Sequence, residues 1–366
     1  MLDNVYWAML HKLWGTKGNK ILIQFLQNIQ NIKGIDFWQL TEKEICEKFP
    51  FISQEMAREF VLGRDKINLD VEENKINKLN VRIISIKDES YPKLLRHIFN
   101  PPPLLYVQGN LEEKNLSIAI VGSRRASPYG KKVAYSFGQQ LSEQGVQIIS
   151  GLARGIDAAG HEGALVGEGG TVAVLGSGLD IIYPRENYNL YKRIINSGKG
   201  AVISEFPLGT APLKLHFPLR NRIISGLAQG ILVIEAGAKS GSLITAELGL
   251  EQGKDVFAIP GPITSPLNQG SHKLIKEGAK LVENIDDILE EYGQLSLFKN
   301  ENKKRTIQLT ELEKKILDSL CIEPLTIDEI AFKTELSVSS VISTLSLLQI
   351  KGLVKETAGR KFMTLN

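Results

Sequence analysis

The sequence predicts an α/β fold, in which a Rossmann-like, doubly wound and mostly parallel sheet lies between an N-terminal helical domain and a C-terminal winged-helix domain. Two observations predict the sheet. Short apolar runs alternate with helical patterns between residues 116 and 285, and most of these runs lack the polar alternation of a half-exposed strand. The winged helix is predicted because residues 306–366 contain three helical patterns and then a hairpin pattern.

A chain of 366 residues is long enough for two or three domains. We expect a helical domain of the SAM or helix–hairpin–helix type at 1–80, the Rossmann-like domain at 81–292, a linker at 293–305 and the winged helix at 306–366. The net charge is only +3, and no domain is strongly basic. A nucleic-acid site would therefore be a local patch.

The sequence also predicts the compartment. No apolar run is long enough to cross a bilayer, and the N-terminus lacks a basic start followed by an apolar core. Cys46 and Cys321 lie far apart in the chain, which argues against a disulfide scaffold and against a cysteine metal site. We expect a cytoplasmic protein without a membrane partner.

The first 109 residues predict short helices and then two extended segments. Apolar residues recur at helical spacing in 6–13, 21–26 and 57–61. Gly15 and Gly18 predict a tight turn between the first two helices, which we interpret as a connection rather than a nucleic-acid contact. Residues 81–86 predict a strand, and the prolines at 101–103 exclude a helix from the segment that follows them.

Six strands are predicted in the sheet region, with helices such as 133–143 and 158–166 between them. The strands are 118–121, 146–150, 171–175, 201–204, 231–235 and 256–259. In the last domain, Thr326 and Glu329 predict a capping box at the start of the second helix. The third helix, 337–349, has no Lys or Arg, so we interpret this domain as a protein-interaction unit rather than a reader of bases.

The loops after the strands predict an anion site. The first strand ends at Gly122, and Pro128 opens a helix, so backbone N–H groups and the helix dipole favour an anion there. No Asp or Glu occurs from 115 to 142 or from 206 to 234. Because both stretches follow strands, they are predicted to form one positive floor that binds several phosphates, with glycine turns adding backbone donors. Its cations are Arg124, Lys214, Arg220 and Arg222, whereas the nearby Arg125 and the Lys131–Lys132 pair are expected to be solvated helix surface.

Other functions are less well supported. The G-x-G-x-x-G turn and the Walker lysine motif are absent from the sequence, which argues against classical NAD or ATP binding. Asp157 and His161 are four residues apart and could be an acid–base pair, or equally a helix cap and a packed histidine. Glu205 and Glu235 are predicted to end neighbouring strands, where they could form a catalytic pair or anchor loops. The remaining histidines lack metal-ligand spacing, so neither a metal nor a cofactor is predicted.

The strand-end loops closely resemble the DNA-processing protein DprA (Smf) family. Six motifs occur in order over about 105–285: the Gly-Ser-Arg of 122–124, the Ser-Gly-Leu-Ala-x-Gly-Ile-Asp of 150–157, and the Ala-Val-Leu-Gly-x-Gly-Leu-Asp of 173–180. They continue with the Tyr-Pro of 183–184, the Phe-Pro-x-Arg-Asn-Arg of 217–222 and the Ser-Gly-Ser-Leu-Ile-Thr-Ala of 240–246. The sequence departs from the family pattern at two positions on the far wall of the family's DNA pocket. His272 and Leu267 stand where asparagine and glycine are usual.

The resemblance implies a protein of natural transformation, DNA uptake and DNA recombination. It would bind incoming single-stranded DNA, compete with single-strand-binding protein, load the RecA recombinase and form a homodimer through the Rossmann-like domain, without a catalytic step. The candidate rings for stacking on DNA bases are those of Tyr129, Tyr183, His216 and Phe217. The expected DNA-binding residues are Gly122, Ser123, Arg124, Gly151, Arg154, Gly155, Lys214, Arg220, Asn221, Arg222, Ser240, Gly241 and Ser242.

The alternative is a nucleotide-binding enzyme of the nucleoside-monophosphate phosphoribohydrolase type. Such an enzyme shares a Rossmann-like sheet and would use Glu235 near the turn at Ser240. The Pro-Gly-Gly-x-Gly-Thr loop that is characteristic of that family is absent from this sequence.

Overall fold

The computed structural model describes residues 3–28, 32–293, 310–320, 324–350, 353–357 and 361–364. The chain divides into two compact units, Met1–Gly293 and Gln294–Asn366. Of the predicted linker, 293–305, only Gly293 is among the described residues. No helix in the described ranges is both long and apolar enough to cross a membrane.

Six helices open the first unit and pack around an aromatic core. Trp7, Phe25, Phe37 and Phe60 are all fully buried, and the ring centroids of Phe25 and Phe37 lie 4.9 Å apart. The predicted glycine turn is a short 3-10 helix, Gly15–Gly18, between the first two helices. The six helices are α1 (Asp3–Trp14), α2 (Asn19–Asn28), α3 (Gly34–Trp38), α4 (Glu42–Lys48), α5 (Gln54–Arg64) and α6 (Leu69–Lys78).

A nine-stranded sheet follows in the same unit. Its strands are β1 (Arg82–Ser85), β2 (Leu104–Gly109), β3 (Ser117–Gly122), β4 (Gln147–Ser150), β5 (Thr171–Leu175), β6 (Gly200–Ser204), β7 (Gly230–Ile234), β8 (Asp255–Ala258) and β9 (Lys280–Leu281). Their spatial order is β1-β2-β6-β5-β4-β3-β7-β8-β9. All pairs from β6 to β9 are parallel, whereas β2 pairs antiparallel with both β1 and β6.

The predicted mostly parallel sheet is confirmed, and the six predicted strands correspond to β3 through β8. Every residue of β5, β6 and β7 is buried, which explains why their sequences do not alternate. The boundaries of these strands lie within one residue of the predicted ones. β7 ends at Ile234 rather than at Glu235, because Glu235 has a φ of +49° and cannot continue a strand.

Helices cover the sheet. They are α7 (Lys93–Arg96), α8 (Pro128–Glu143), α9 (Ile156–Ala164), α10 (Tyr188–Asn196), α11 (His216–Gly226), α12 (Gly241–Glu251), α13 (Gln269–Lys276) and α14 (Asp286–Leu289). The chain proceeds outward from β3 to β6 and then returns to the other side of β3 to form β7. The order of strands therefore reverses between β3 and β7, which is where open α/β sheets bind their ligands.

The second unit is the predicted winged helix. It contains α15 (Glu311–Ser319), α16 (Ile327–Thr334) and α17 (Val338–Ile350), with β10 (Leu325–Thr326), β11 (Val354–Thr357) and β12 (Lys361–Thr364) in the order β10-β12-β11. The predicted capping box opens α16, since the Thr326 N–H donates to Glu329 at 2.7 Å and the Glu329 N–H donates to the Thr326 hydroxyl at 3.3 Å.

Candidate nucleic-acid interface

The loops that follow the parallel strands lie at one edge of the sheet. We call them the rim, which comprises residues 123–127, 151–155, 176–187, 205–215 and 235–240. At the reversal point, the rim loops after β3 and β7 are joined because the Ser123 N–H donates to the Glu235 carbonyl at 2.8 Å. The predicted DNA-binding residues lie in the rim, in the second turn of α11, in the first turn of α12 and at the end of β3.

An internal carboxylate occupies the anion position that the sequence predicts at the start of α8. Ser127 caps this helix, its hydroxyl accepting from the Gly130 N–H at 3.0 Å. The Glu235 carboxylate accepts from the Ser127 N–H at 2.8 Å and also from the Ser127 hydroxyl. A Cβ at Gly130 would lie 2.4 Å from this carboxylate. The anion bound at the α8 N-terminus is therefore part of the chain itself.

Glu205 and Glu235 do not form a carboxylate pair, so the prediction that they end neighbouring strands is wrong. Three strands, β5, β4 and β3, separate β6 from β7. Glu205 instead accepts two hydrogen bonds from the Arg222 guanidinium, at 2.8 and 2.7 Å. The exposed fractions of these two side chains are 1% and 11%. Arg222 is thus half-buried and already paired with a carboxylate, which argues against the expected phosphate contact.

Arg220 also lies inside the protein rather than on a positive floor. Only 3% of the residue is exposed. Its guanidinium donates to the Gly151 carbonyl at 2.8 Å and to the Val174 carbonyl, so it joins the loop after β4 to the end of β5. Burial lowers the pKa of Arg220 to about 10, which leaves it charged at neutral pH. We therefore reassign Arg220 from a phosphate contact to a residue that orders the rim.

Asp157 and His161 lie beneath the same loop, and their hydrogen bonds agree with the structural alternative. The Asp157 carboxylate accepts from the Gly151 and Ala153 N–H groups at 3.1 and 3.3 Å, and burial raises its pKa against the opposing effect of Arg220. His161 Nε2 accepts from the Leu152 N–H at 3.3 Å, while its Nδ1 lies 2.6 Å from the Thr171 hydroxyl. Both residues are buried, and they hold the loop in place.

The exposed part of the site contains cations and aromatic rings. The Arg124 guanidinium lies 5.1 Å from the ring centroid of the half-buried Phe217, on the second residue of α11. The exposed Tyr183 ring lies 5.6 Å from the same ring. Lys214 is exposed two residues before α11 begins. Neither Arg124 nor Lys214 has an ion-pair partner among the described residues, so both charges are available to an anion.

Gly155 allows the loops after β3 and β4 to meet. Its φ is +78°, and a Cβ there would lie 2.3 Å from the Ser123 carbonyl oxygen, so no larger residue fits without displacing the Arg124 loop. Arg154, in the same turn, is exposed but forms an ion pair with the exposed Glu186. Its charge is therefore partly compensated.

The opposite wall of the site is the start of α12. Ser240 caps this helix, and its hydroxyl lies 2.8 Å from that of Ser242. The Asn221 amide donates to the Gly241 carbonyl at 3.4 Å, which joins α11 to α12. Gly241 is exposed and Ser242 is buried. Lys239, just before this helix, is an exposed cation that the sequence reasoning missed, although it directly precedes the Ser-Gly-Ser motif.

The structure separates the remaining aromatic candidates. His216 is buried and stacks on Phe206 with ring centroids 4.2 Å apart, so it is not available to a base. Tyr129 is 56% exposed at the start of α8. On the far wall, His272 Nε2 lies 3.0 Å from the Gly261 carbonyl oxygen. This contact gives the unusual histidine a local hydrogen-bonding role.

The rim presents its cations and the ring of Tyr183 to solvent. The described residues include cavities of about 290 and 260 Å³ that lie away from this surface. Neither is lined by Arg124, Lys214 or Phe217. An open cationic surface with exposed rings suits an extended strand better than an enclosed small molecule.

Comparisons with known proteins agree with the fold and with the motifs. Residues 82–293 match the family model described as DNA recombination-mediator protein A, and residues 301–360 match the DprA winged helix domain. Protein Smf of Escherichia coli is 40% identical over 291 residues, which cover 76% of each chain. DNA processing protein DprA of Streptococcus pneumoniae is 49% identical over 209 residues, covering 57% of this chain and 73% of that protein.

Two solved structures are also similar. The X-ray structure of DprA from Streptococcus pneumoniae aligns with a TM-score of 0.65 at 37% identity, over 80% of this chain and 98% of that one. DprA from Helicobacter pylori aligns with a TM-score of 0.52 at 29% identity, over 58% of this chain and 96% of that one. The latter structure describes how the Helicobacter protein binds single-stranded DNA.

Proposed function

Because this chain belongs to the DprA (Smf) family of DNA-processing proteins, we propose that it binds single-stranded DNA along the rim of its parallel sheet. One observation carries the proposal: the unpaired guanidinium of Arg124 lies over the Phe217 ring, with the exposed Tyr183 ring beside it. Cations contact phosphates, and rings stack on unpaired bases, so this combination favours a single strand over a duplex.

We assign the contacts according to the exposure of each residue. Arg124, Lys214 and Lys239 contact phosphates, and Phe217 and Tyr183 stack on bases. Backbone N–H groups near Gly155 and Gly241 supply further donors, together with the side chains of Ser123, Asn221 and Ser240. The N–H groups at Gly151 already donate within the protein, so this glycine shapes the loop instead. Arg154 keeps its ion pair with Glu186 and contacts the strand through the remaining N–H groups of its guanidinium. Arg220 and Arg222 position these loops from below.

We propose no catalytic step for the site. The carboxylates that a hydrolase would need are engaged inside the protein: Glu235 is bonded to Ser127, and Glu205 to Arg222. Only 5% of Glu235 is exposed. These contacts argue against the phosphoribohydrolase alternative, in which Glu235 would contact a nucleotide.

The biological role that we propose rests on the family. The protein would take up incoming single strands in the cytoplasm during natural transformation, in competition with single-strand-binding protein, and would load RecA onto them for recombination. It would act as a homodimer formed through the sheet domain. The winged helix would contact a protein, since Val338 and Ile342 are exposed on α17, a helix without a cation.

Titration of labelled oligonucleotides tests the proposal. Single-stranded DNA should bind more tightly than duplex DNA of the same sequence, and its affinity should fall with salt by about 0.7 logarithmic units per phosphate contact and tenfold change in salt. Equal affinity for the two forms would contradict a stacking site. Release of ribose phosphate from AMP by the purified protein would support the enzyme instead.

A further inference from the structure

We propose that the outer face of α10 is a second single-stranded DNA subsite, which continues the rim and contacts the part of the strand that extends beyond Tyr183. The face consists of Tyr188, Asn189, Lys192 and Arg193, all of which are exposed. The buried side of the helix is formed by Leu190, Tyr191 and Ile194. This inference rests on the proposed function and extends it to residues outside the family motifs described above.

The charge on this face is of one sign. No Asp or Glu occurs from residue 187 to residue 204. Neither Lys192 nor Arg193 forms an ion pair within the part of the chain that the structure describes. Most exposed helices mix both signs of charge, since opposite charges four residues apart stabilise a helix. The outer face of α10 lacks that mixture, so its two cations are free to bind an anion.

The same face presents an aromatic ring. Tyr188 is 49% exposed, and the Lys192 ammonium lies 5.7 Å from its ring centroid. This pairing of a cation with a ring repeats the arrangement of Arg124 over Phe217. A stacked base can lie on the ring while the lysine contacts the adjoining phosphate. The amide of Asn189 adds a donor and an acceptor beside them.

The start of α10 is fastened to the rim. The Asn187 amide donates to the Leu152 and Ala153 carbonyls at 2.9 and 3.2 Å, which places the helix start against the loop after β4. The nearest acid in sequence, Glu186, is already paired with Arg154. A strand leaving the rim therefore meets no uncompensated carboxylate from this segment on its way to Tyr188.

The size of the face sets the length of the strand that it can bind. The six helical residues from Tyr188 to Arg193 extend roughly 9 Å. At the spacing of about 3.4 Å between stacked bases, this length accommodates roughly two or three nucleotides. Strands that fill only the rim should not reach the face, whereas longer strands should. The subsite therefore predicts a dependence on strand length that the rim alone does not.

Titrations with a short oligothymidylate of about 6 nucleotides and a long one of about 20 nucleotides test this inference on the full chain. Tyr188→Ala should weaken binding of the long strand at least about fivefold and leave the short strand unchanged. Tyr188→Phe keeps the ring and should bind both strands as the unaltered protein does. Tyr135→Ala, which removes an exposed tyrosine from α8, is the matched control and should change neither affinity.

Charge removal gives an independent measurement. Lys192→Ala combined with Arg193→Ala should reduce the salt slope for the long strand by about 1.4 and leave the short-strand slope unchanged. An unchanged salt slope for the long strand would overturn the subsite. The subsite would also fail if Lys131→Ala combined with Lys132→Ala reduced this slope by the same amount. Arg124→Ala separates the two proposals, because it should weaken both lengths. If Arg124→Ala has no effect on either strand, the rim assignment itself fails.

Discussion

Glu235 and Ser127 are joined across the reversal point of the sheet, because the Glu235 carboxylate accepts from both the N–H and the hydroxyl of Ser127. The two residues are 108 positions apart in sequence. Their contact fills the crevice in which other doubly wound folds bind a phosphate. The binding surface that we propose therefore lies further out, on the side chains that line the rim.

Replacing Glu235 should destabilise the fold. Glu235→Ala removes two charge-assisted hydrogen bonds and leaves the α8 N-terminus without its anion, so the free energy of unfolding should fall by roughly 1.5–3 kcal/mol. Urea denaturation measures the change. Glu247→Ala, an exposed position on α12, is the control and should change stability by less than about 0.5 kcal/mol. Equal stability of the two variants would contradict a bridging role for Glu235.

Arg220 should act on stability rather than on the electrostatics of binding. Arg220→Ala leaves the Gly151 and Val174 carbonyls without their donor and leaves Asp157 without a counter-charge, so unfolding should become easier by about 3 kcal/mol or more. The salt slope of DNA binding, measured where the variant is still folded, should be unchanged. If the Arg220→Ala variant had normal stability and a salt slope reduced by about 0.7, the result would instead support a direct phosphate contact by Arg220.

The sequence predicted the fold well because the strands of a covered parallel sheet are apolar throughout, which is a local signal. The burial of Arg220 also had a local signal, since His216, Arg220, Ile223 and Ile224 recur at helical spacing and share the buried face of α11. The contacts of Glu235 had no local signal in the sequence. Its distance from Glu205 depends on the strand order, and its contact with Ser127 depends on which two strands flank the reversal point.

Two buried histidines should make stability depend on pH. Burial lowers the pKa of His161 to about 3 and that of His11 to about 4. Below about pH 6.5 the unfolded chain binds protons that the folded protein excludes, so the free energy of unfolding falls as pH decreases. The loss should approach about 1.4 kcal/mol per pH unit for each histidine.

Urea denaturation between about pH 7.5 and 5 measures this dependence, a range chosen above the ordinary pKa of carboxylates. His161→Gln should reduce by roughly half the part of the pH dependence that the two histidines cause, because only His11 then contributes to that part. The exposed His97 provides the control, and His97→Gln should leave the dependence unchanged. A dependence that survives intact in His161→Gln would show that this histidine is not buried in its neutral form.

Arg124 and Phe217 should contribute to DNA binding in different ways. Arg124→Ala removes one phosphate contact, so affinity should fall at low salt and the salt slope should decrease by about 0.7. Phe217→Ala removes a stacking surface that is worth about 1–3 kcal/mol per base, with little change in slope. Anisotropy titrations at several salt concentrations distinguish the two effects. Arg125→Ala removes a neighbouring charge that is also exposed and should alter the slope less than Arg124→Ala does. If the two arginine variants behave alike, the loop contributes only its general charge, and the position of Arg124 over Phe217 has no part in binding.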